Sequence, residues 1–463
     1  MKRNLLYIIG GSVLLSSCNI YSTYKRPDNL STDSLYRDTT ATYRVVASDT
    51  VNFGNTPWQE VFTDPRLQDL INRALSQNTD MQVADLTIRQ AEAGLMTSRL
   101  AFLPSLSFTP QGTVSTFDMG KATKTYSLPL QASWQIDAFG QLRNAKKQAE
   151  VSLMQAKVSK QAARTSIVSA VANMYYTLQM LDEQLKVTKA TAEIWKKNVD
   201  AMEAMFQAGG ITNSAAVSQT KANYYQILTT IPTLEQNIRE TENSLCSLLH
   251  EAPHPIARNS FDSETFPTSL SAGVPMQLLS NRPDVRVAEL QLAAAFYVTN
   301  QARSAFYPQI TIGGNAGWTN SAGSAIINPP KFVASAVASL VQPLFMKGQL
   351  RANLKVAKAQ QESAQLRFEQ SLINAGVEVS NALGSYQSAL QQELSRQKQV
   401  KELENAVAET EFLFSHGNTT TYLEKLTAQQ SLLQAQLSLI SDRFEKMQAA
   451  ISLYQALGGG REN

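Results

Sequence analysis

The chain has 463 residues, of which 17% are charged, and a formal balance of +3. That length allows more than one domain, and the near-even balance excludes a strongly basic face, so nucleic acid is not an expected partner. Two cysteines, Cys18 and Cys246, are too few for a disulfide scaffold.

Residues 1–17 read as a leader. Lys2 and Arg3 precede an apolar run from Leu5 to Leu15 that is too short to cross a bilayer, which takes about 20 apolar residues. Leu15-Ser16-Ser17-Cys18 then sets a cysteine directly after a small pair, the pattern of a lipoprotein cleavage site. Cleavage before Cys18 predicts covalent lipid on that residue and no other cofactor. Several acyl chains hold a protein to a membrane firmly where one alone binds marginally. Asn19 is not the acidic residue that would suggest inner-membrane retention. Losing Lys2 and Arg3 takes the balance from +3 to +1, and Cys246 is left to be a buried free thiol.

Residues 18–63 are expected to be a lipidated N-terminal segment. After them one pattern is written twice. Arg99-Leu100-Ala101-Phe102-Leu103-Pro104 matches Arg303-Ser304-Ala305-Phe306-Tyr307-Pro308, and Gly140-Gln141-Leu142-Arg143 matches Gly348-Gln349-Leu350-Arg351. Phe206-Gln207-Ala208-Gly209 parallels Phe414-Ser415-His416-Gly417. Three ordered matches indicate a tandem duplication, with copies at 64–250 and 275–458, a polar, Pro-bearing linker at 251–274 and a tail at 459–463.

Each copy opens with a helix, followed by two strands at about 105–118 and 126–138 in the first and 309–319 and 332–345 in the second. Tyr126, Leu128, Leu130, Ala132, Trp134 and Ile136 alternate with polar residues, so one sheet face is apolar and the other polar. Ile310, Ile312, Ala316 and Trp318 continue the pattern, which is muddier in the last strand. An open sheet edge cannot sit in lipid, and four strands cannot close a barrel, since even small ones use about eight. Lipid-facing strands, with Tyr126, Leu128, Leu130, Trp134 and Trp318 outward, therefore require an oligomer; three copies supply twelve.

Long helices are predicted at 141–207 and 348–415, with return helices at 212–249 and 420–457. Apolar residues step by four and three, as in Leu178, Leu181, Leu185, Thr188, Ala192 and Trp195. That is the heptad spacing that keeps one seam against a partner helix. At 1.5 Å per residue the first long helix would reach roughly 100 Å. Pro232 is expected to kink the first return helix.

The opening Trp58-Gln59-Glu60-Val61-Phe62-Thr63-Asp64-Pro65, the segment Asn281-Arg282-Pro283-Asp284-Val285-Arg286 and Trp134-Gln135-Ile136-Asp137-Ala138-Phe139-Gly140 resemble the TolC-like outer-membrane factors. Cys18 with Tyr24-Lys25-Arg26-Pro27 is similar to their lipoprotein branch, which serves resistance-nodulation-division pumps. The resemblance implies a mainly α chain with a membrane β-barrel, acting as a homotrimer with a 12-stranded outer-membrane barrel and a 12-helix periplasmic tunnel. It implies a periplasmic adaptor and an inner-membrane pump as partners, export of small toxic compounds, and an equatorial wrap formed by residues 18–63. A duct of the same architecture for protein secretion is the alternative. A periplasmic coiled-coil adaptor, from a different class, would carry a single hairpin and no duplicated strands.

The same resemblance makes the helix-to-helix turns the adaptor-docking tips: Gly209, Gly210 and Thr212, then Gly417, Thr419 and Thr420. It also suggests a carboxylate constriction, but the expected aspartate position reads Leu426-Thr427-Ala428-Gln429. Glu424 lies three residues before Thr427, hence near the same helix face, and these two with Tyr422 are the candidate gate. No nucleophile motif or phosphate loop is visible. His250 and His254 sit among prolines without a cysteine or carboxylate cluster, so neither a metal site nor an enzyme is expected.

Overall fold

In a computed structural model of the protein, residues 21, 23–27, 35, 53–116, 118–209, 212–261, 281–322, 325–416 and 421–461 are described. Cys18, Gly210, Gly417, Thr419 and Thr420 lie outside them. The described elements repeat in order and length. After short helix α1 (Trp58–Val61) and α2 (Pro65–Gln77), the first copy runs α3 (Thr79–Leu100), β1 (Ser105–Phe108), β2 (Gln111–Ser115), β3 (Thr123–Ile136), α4 (Gln141–Gln207) and α5 (Ser214–Leu248). The second runs α6 (Pro283–Ser304), β4 (Gln309–Ala322), β5 (Ala325–Val341), α7 (Gln349–Ser415) and α8 (Tyr422–Ala456). Paired helices are equal in length: 22 residues for α3 and α6, 67 for α4 and α7, 35 for α5 and α8.

The chain separates into two compact units. The first gathers residues 1–30, 86–158 and 287–370, and the second the remainder.

Unit one holds an antiparallel sheet in the order β1-β3-β4-β5, with β2 also on β3. The register sets Leu128 opposite Trp318, Trp134 opposite Ile312, and Trp318 opposite Phe332. Directly opposed residues share a face, so the apolar row crosses every strand. In β5 that row is Phe332, Ala334, Ala336, Ala338 and Leu340. Val333, Val337 and Val341 lie on the other face, which is why the alternation is blurred there. The first strand differs from expectation: it is two short strands, broken at Thr109-Pro110, because proline has no N–H to give the ladder. The last strand begins at Ala325 rather than 332 and stops at Val341, ahead of Pro343. Pro329 and Pro330 are tolerated because β5 is an edge strand with one side unpaired in the single chain.

Both strand-to-helix corners carry a glycine with positive φ, Gly140 at 73° and Gly348 at 82°, a conformation that disfavours any side chain. This accounts for the repeated Gly-Gln-Leu-Arg. The Asp137 carboxylate caps α4, accepting from the N–H groups of Leu142 (2.9 Å) and Arg143 (3.0 Å).

Unit two is helical. Helix α2 starts on Asp64, whose side chain accepts from the Arg66 N–H, with Pro65 in its first turn. It buries Leu67, Leu70, Ile71 and Ala74, one stripe at helical spacing. Phe53 and Phe62 meet the Tyr454 ring edge-on at 5.4 and 6.0 Å, and the Tyr454 hydroxyl donates to the Thr56 carbonyl at 2.8 Å. Trp195 of α4 is fully buried among Ala192, Ile227 of α5 and Leu426 of α8. Helix α5 runs uninterrupted through Pro232, which stands on its exposed side.

Candidate functional site

The residues singled out by the sequence fall in three places. The first is the sheet face in unit one. Tyr126, Leu128, Leu130 and Trp134 are each 40–48% exposed and Trp318 is 54% exposed in the single chain. The Trp318 and Phe332 rings pack edge-on at 5.4 Å. The opposite face presents Ser127, Gln131, Ser133, Asn315 and Thr319. A contiguous exposed apolar patch of this kind marks a surface covered by lipid or protein.

The second is the pair of hairpin ends in unit two. Helix α4 closes at Gly209 with φ of 80°, a left-handed helix end. Thr212 follows, and Asn213 caps α5 by accepting from the Ala216 N–H at 2.9 Å. At the other hairpin the Thr421 hydroxyl accepts from the Glu424 N–H at 3.3 Å, while the Glu424 carboxylate accepts from the Thr421 N–H at 2.9 Å. That reciprocal pair is a capping box, so Glu424 starts α8 whatever else it does. Glu424 and Thr427 are both exposed on α8, with the Thr427 hydroxyl donating to the Leu423 carbonyl at 2.8 Å.

Tyr422 parts company with them. Its ring packs on the Trp195 core and its hydroxyl donates to the Asn198 carbonyl at 2.9 Å. Burial, with the nearby Glu411 charge, pushes its phenol far above the ordinary range. The sequence gives no sign of Lys425, which is buried beside it. Its ammonium lies 2.6 Å from Glu411 and 5.8 Å from the centres of both the Phe414 and Tyr422 rings, a favourable site for a cation. Phe206, Phe412 and Leu423 are exposed near the hairpin ends, by 47, 58 and 65%.

The third place explains the Asn281-Arg282-Pro283-Asp284 segment. Arg282 is buried and donates to Asp284 (2.6 and 3.0 Å), to Glu378 of α7 (2.6 Å) and to the Ala456 carbonyl at the end of α8 (2.9 Å). Burial alone would lower its pKa, but the two carboxylates outweigh it and the value is raised. In the same way the Arg282 guanidinium outweighs burial at Asp284 and holds that carboxyl below its ordinary range. Arg258 does the equivalent work for the linker, binding Asp182 of α4 and Glu242 of α5. These are structural anchors. Cys246 is buried and free, with its sulfur 3.4 Å from His254 Nδ1. His250 Nδ1 lies 3.2 Å from the Thr79 hydroxyl, and among the described residues no group of three metal-binding side chains converges.

Known proteins match this chain throughout. A family profile described as outer membrane efflux protein fits residues 70–250 and 274–459, once per copy. Cation efflux system protein CusC of Escherichia coli O6:H1 is 28% identical over 459 residues, covering 97% of each chain. The pyoverdine export outer membrane protein OpmQ of Pseudomonas putida is 29% identical over 417 residues, covering 87% of this chain and 88% of its own. A crystal structure of CusC superposes with a TM-score of 0.82 at 26% identity, covering 96% of this chain and all of that one. The duplicated helix–sheet–hairpin chain, with its apolar sheet face and long paired helices, therefore belongs to the outer membrane efflux protein family and is an outer-membrane channel component of an efflux system.

Proposed function

We propose that three copies of the mature chain, beginning at a lipidated Cys18, close one twelve-stranded barrel in the outer membrane and one twelve-helix periplasmic tunnel. The observation that carries this is the five-stranded sheet, with β1 and β2 end to end along β3, which has one continuous apolar face and, among the described residues, edges left unpaired at β1 and β2 on one side and β5 on the other. Such a sheet satisfies its backbone in lipid only when neighbouring copies pair its edges. The copies at 64–250 and 275–458 each fill two strand positions, the first with β1 and β2 end to end, and supply one helical hairpin, while residues 18–63 and the linker 251–274 wrap the middle.

The hairpin ends, with Gly209, Gly210, Thr212, Gly417, Thr419 and Thr420 at the turns, dock a periplasmic adaptor, and the exposed Phe206, Phe412 and Leu423 are the apolar contacts available to it. The adaptor connects the duct to an inner-membrane pump of the resistance-nodulation-division class. The chain performs no chemistry on its cargo. Relatives named for cation efflux and pyoverdine export favour small solutes over secreted proteins. Glu424 and Thr427 line the narrow end, where three like charges favour cations.

Deleting the gene and scoring sensitivity to bile salts, dyes and metal ions beside secretion of large proteins tests the assignment. Increased sensitivity with normal secretion is expected; a secretion defect with unchanged sensitivity would overturn it.

A further inference from the structure

The corner where strands become helices is unusually cationic. All four strand–helix connections of unit one lie at one end of the sheet, since β3 ends at Ile136 opposite Ile310 and β5 ends at Val341 opposite Gln309. Residues 97–104, 137–150, 300–308 and 342–358 carry nine Lys or Arg against two Asp or Glu, in a chain whose whole balance is +3. The two copies treat these charges differently. In the first, Arg143 pairs with Asp137 at 3.1 Å and Lys147 with Glu150 at 3.0 Å.

The second copy keeps the cations, as Arg351 and Lys355, but places Phe345 where the first has Asp137 and Lys358 where it has Glu150. Arg351, Lys355 and Lys358 are spaced four and three on α7, so they share a face and repel one another. They are exposed, and neither they nor Lys347 has a carboxylate partner among the described residues. Directly before them Leu344 is 92% and Phe345 83% exposed. An apolar pair followed by an unneutralised basic stripe suits a membrane boundary, with hydrocarbon on one side and phosphate on the other.

The N-terminal segment points to the same level. The Tyr21 ring lies against Gly140, where a Cβ would come within 3.3 Å. Tyr24 meets Phe296 at 5.9 Å and Arg26 grips Glu289 at 2.6 and 2.7 Å. Under the proposed lipidation, acyl chains attach at Cys18, three residues before Tyr21 in the sequence.

We infer that the Leu344–Lys358 corner of the second copy is a docking surface for anionic phospholipid headgroups of the periplasmic leaflet. This rests on the proposed membrane-embedded barrel. The triple variant Arg351→Gln, Lys355→Gln, Lys358→Gln and the wild type, both as full-length lipidated protein, are reconstituted from detergent into phosphatidylethanolamine vesicles containing phosphatidylglycerol, or phosphatidylcholine in its place. Oligomer mass is measured in parallel.

The wild type is expected to prefer phosphatidylglycerol, with the preference falling about fivefold for each cation removed and disappearing in high salt, at unchanged oligomer mass. A control, Lys196→Gln with Lys197→Gln on α4, keeps the preference. Equal insertion of wild type into both vesicles, or a preference indifferent to salt, overturns the inference even should the triple variant not fold. So does inorganic phosphate erasing the preference at matched ionic strength, which would mark a free-anion site. Loss of the oligomer with lipid preference intact also overturns it, assigning the stripe to contact between copies. Failure of the wild type to enter either vesicle would instead remove the membrane-channel reading itself.

Discussion

A guanidinium out of water needs its donors matched, and Arg282 is matched on three sides by Asp284, Glu378 and the Ala456 carbonyl. It ties the start of α6 to α7 and to the end of α8. Replacing it, as in Arg282→Met, is expected to cost about 3 kcal/mol, the lower end for breaking a buried pair, because both carboxylates are more than half exposed and can return to water. A fall in thermal midpoint in detergent checks this. Its partner gives a pH signature. With Asp284 held below its ordinary value in the folded chain, its contribution is complete above the ordinary carboxylate range, about 3.9, and is lost as pH falls through the depressed value. Asp284→Asn should cost about 1 kcal/mol or less at neutral pH, given its exposure, and make no difference at the acid end. A variant equally destabilised at both ends would contradict the pairing.

Elements explain which parts were legible in advance. Helix pairs announce themselves through heptad spacing, and the strand β3 through strict alternation, so the duplicated order could be read directly. Two features could not. The split of the first strand at Thr109-Pro110 and the early start of β5 across Pro329-Pro330 depend on which strand lies at an edge, and edges are set by pairing. Helical spacing puts Glu424 and Thr427 near one face, but Tyr422 is only close in sequence; a helix turns about 100° per residue, so Tyr422 packs on the Trp195 core while Glu424 and Thr427 are exposed.

Glu424 also has a structural task that spacing alone conceals, although Thr421 three residues before it is the capping-box signature. Thr421→Ala should loosen the first turn of α8 at a cost of about 1 kcal/mol, read as faster amide exchange there. Glu424→Gln separates cap from gate, because glutamine can serve the box but carries no charge. In planar bilayers this variant should lose cation preference without losing stability. Selectivity equal to wild type would remove Glu424 from the constriction.

At the scale of the whole molecule, the single chain leaves an apolar sheet face open and, among the described residues, strand edges unpaired at β1, β2 and β5, which the proposed trimer in lipid would cover and pair. Sequence reached this far because four strands are too few for a barrel, a counting argument that needs no coordinates. It did not reach the difference between the copies at their helix starts, where Asp137 and Glu150 give way to Phe345 and Lys358. That contrast carries meaning only once the connections are seen to share one end of the sheet. The number of copies is the claim on which the duct depends. Native mass spectrometry of the full-length lipidated protein, released from mild detergent, measures it: a species of three chains is predicted, and a stable monomer or dimer as the largest assembly would contradict the account.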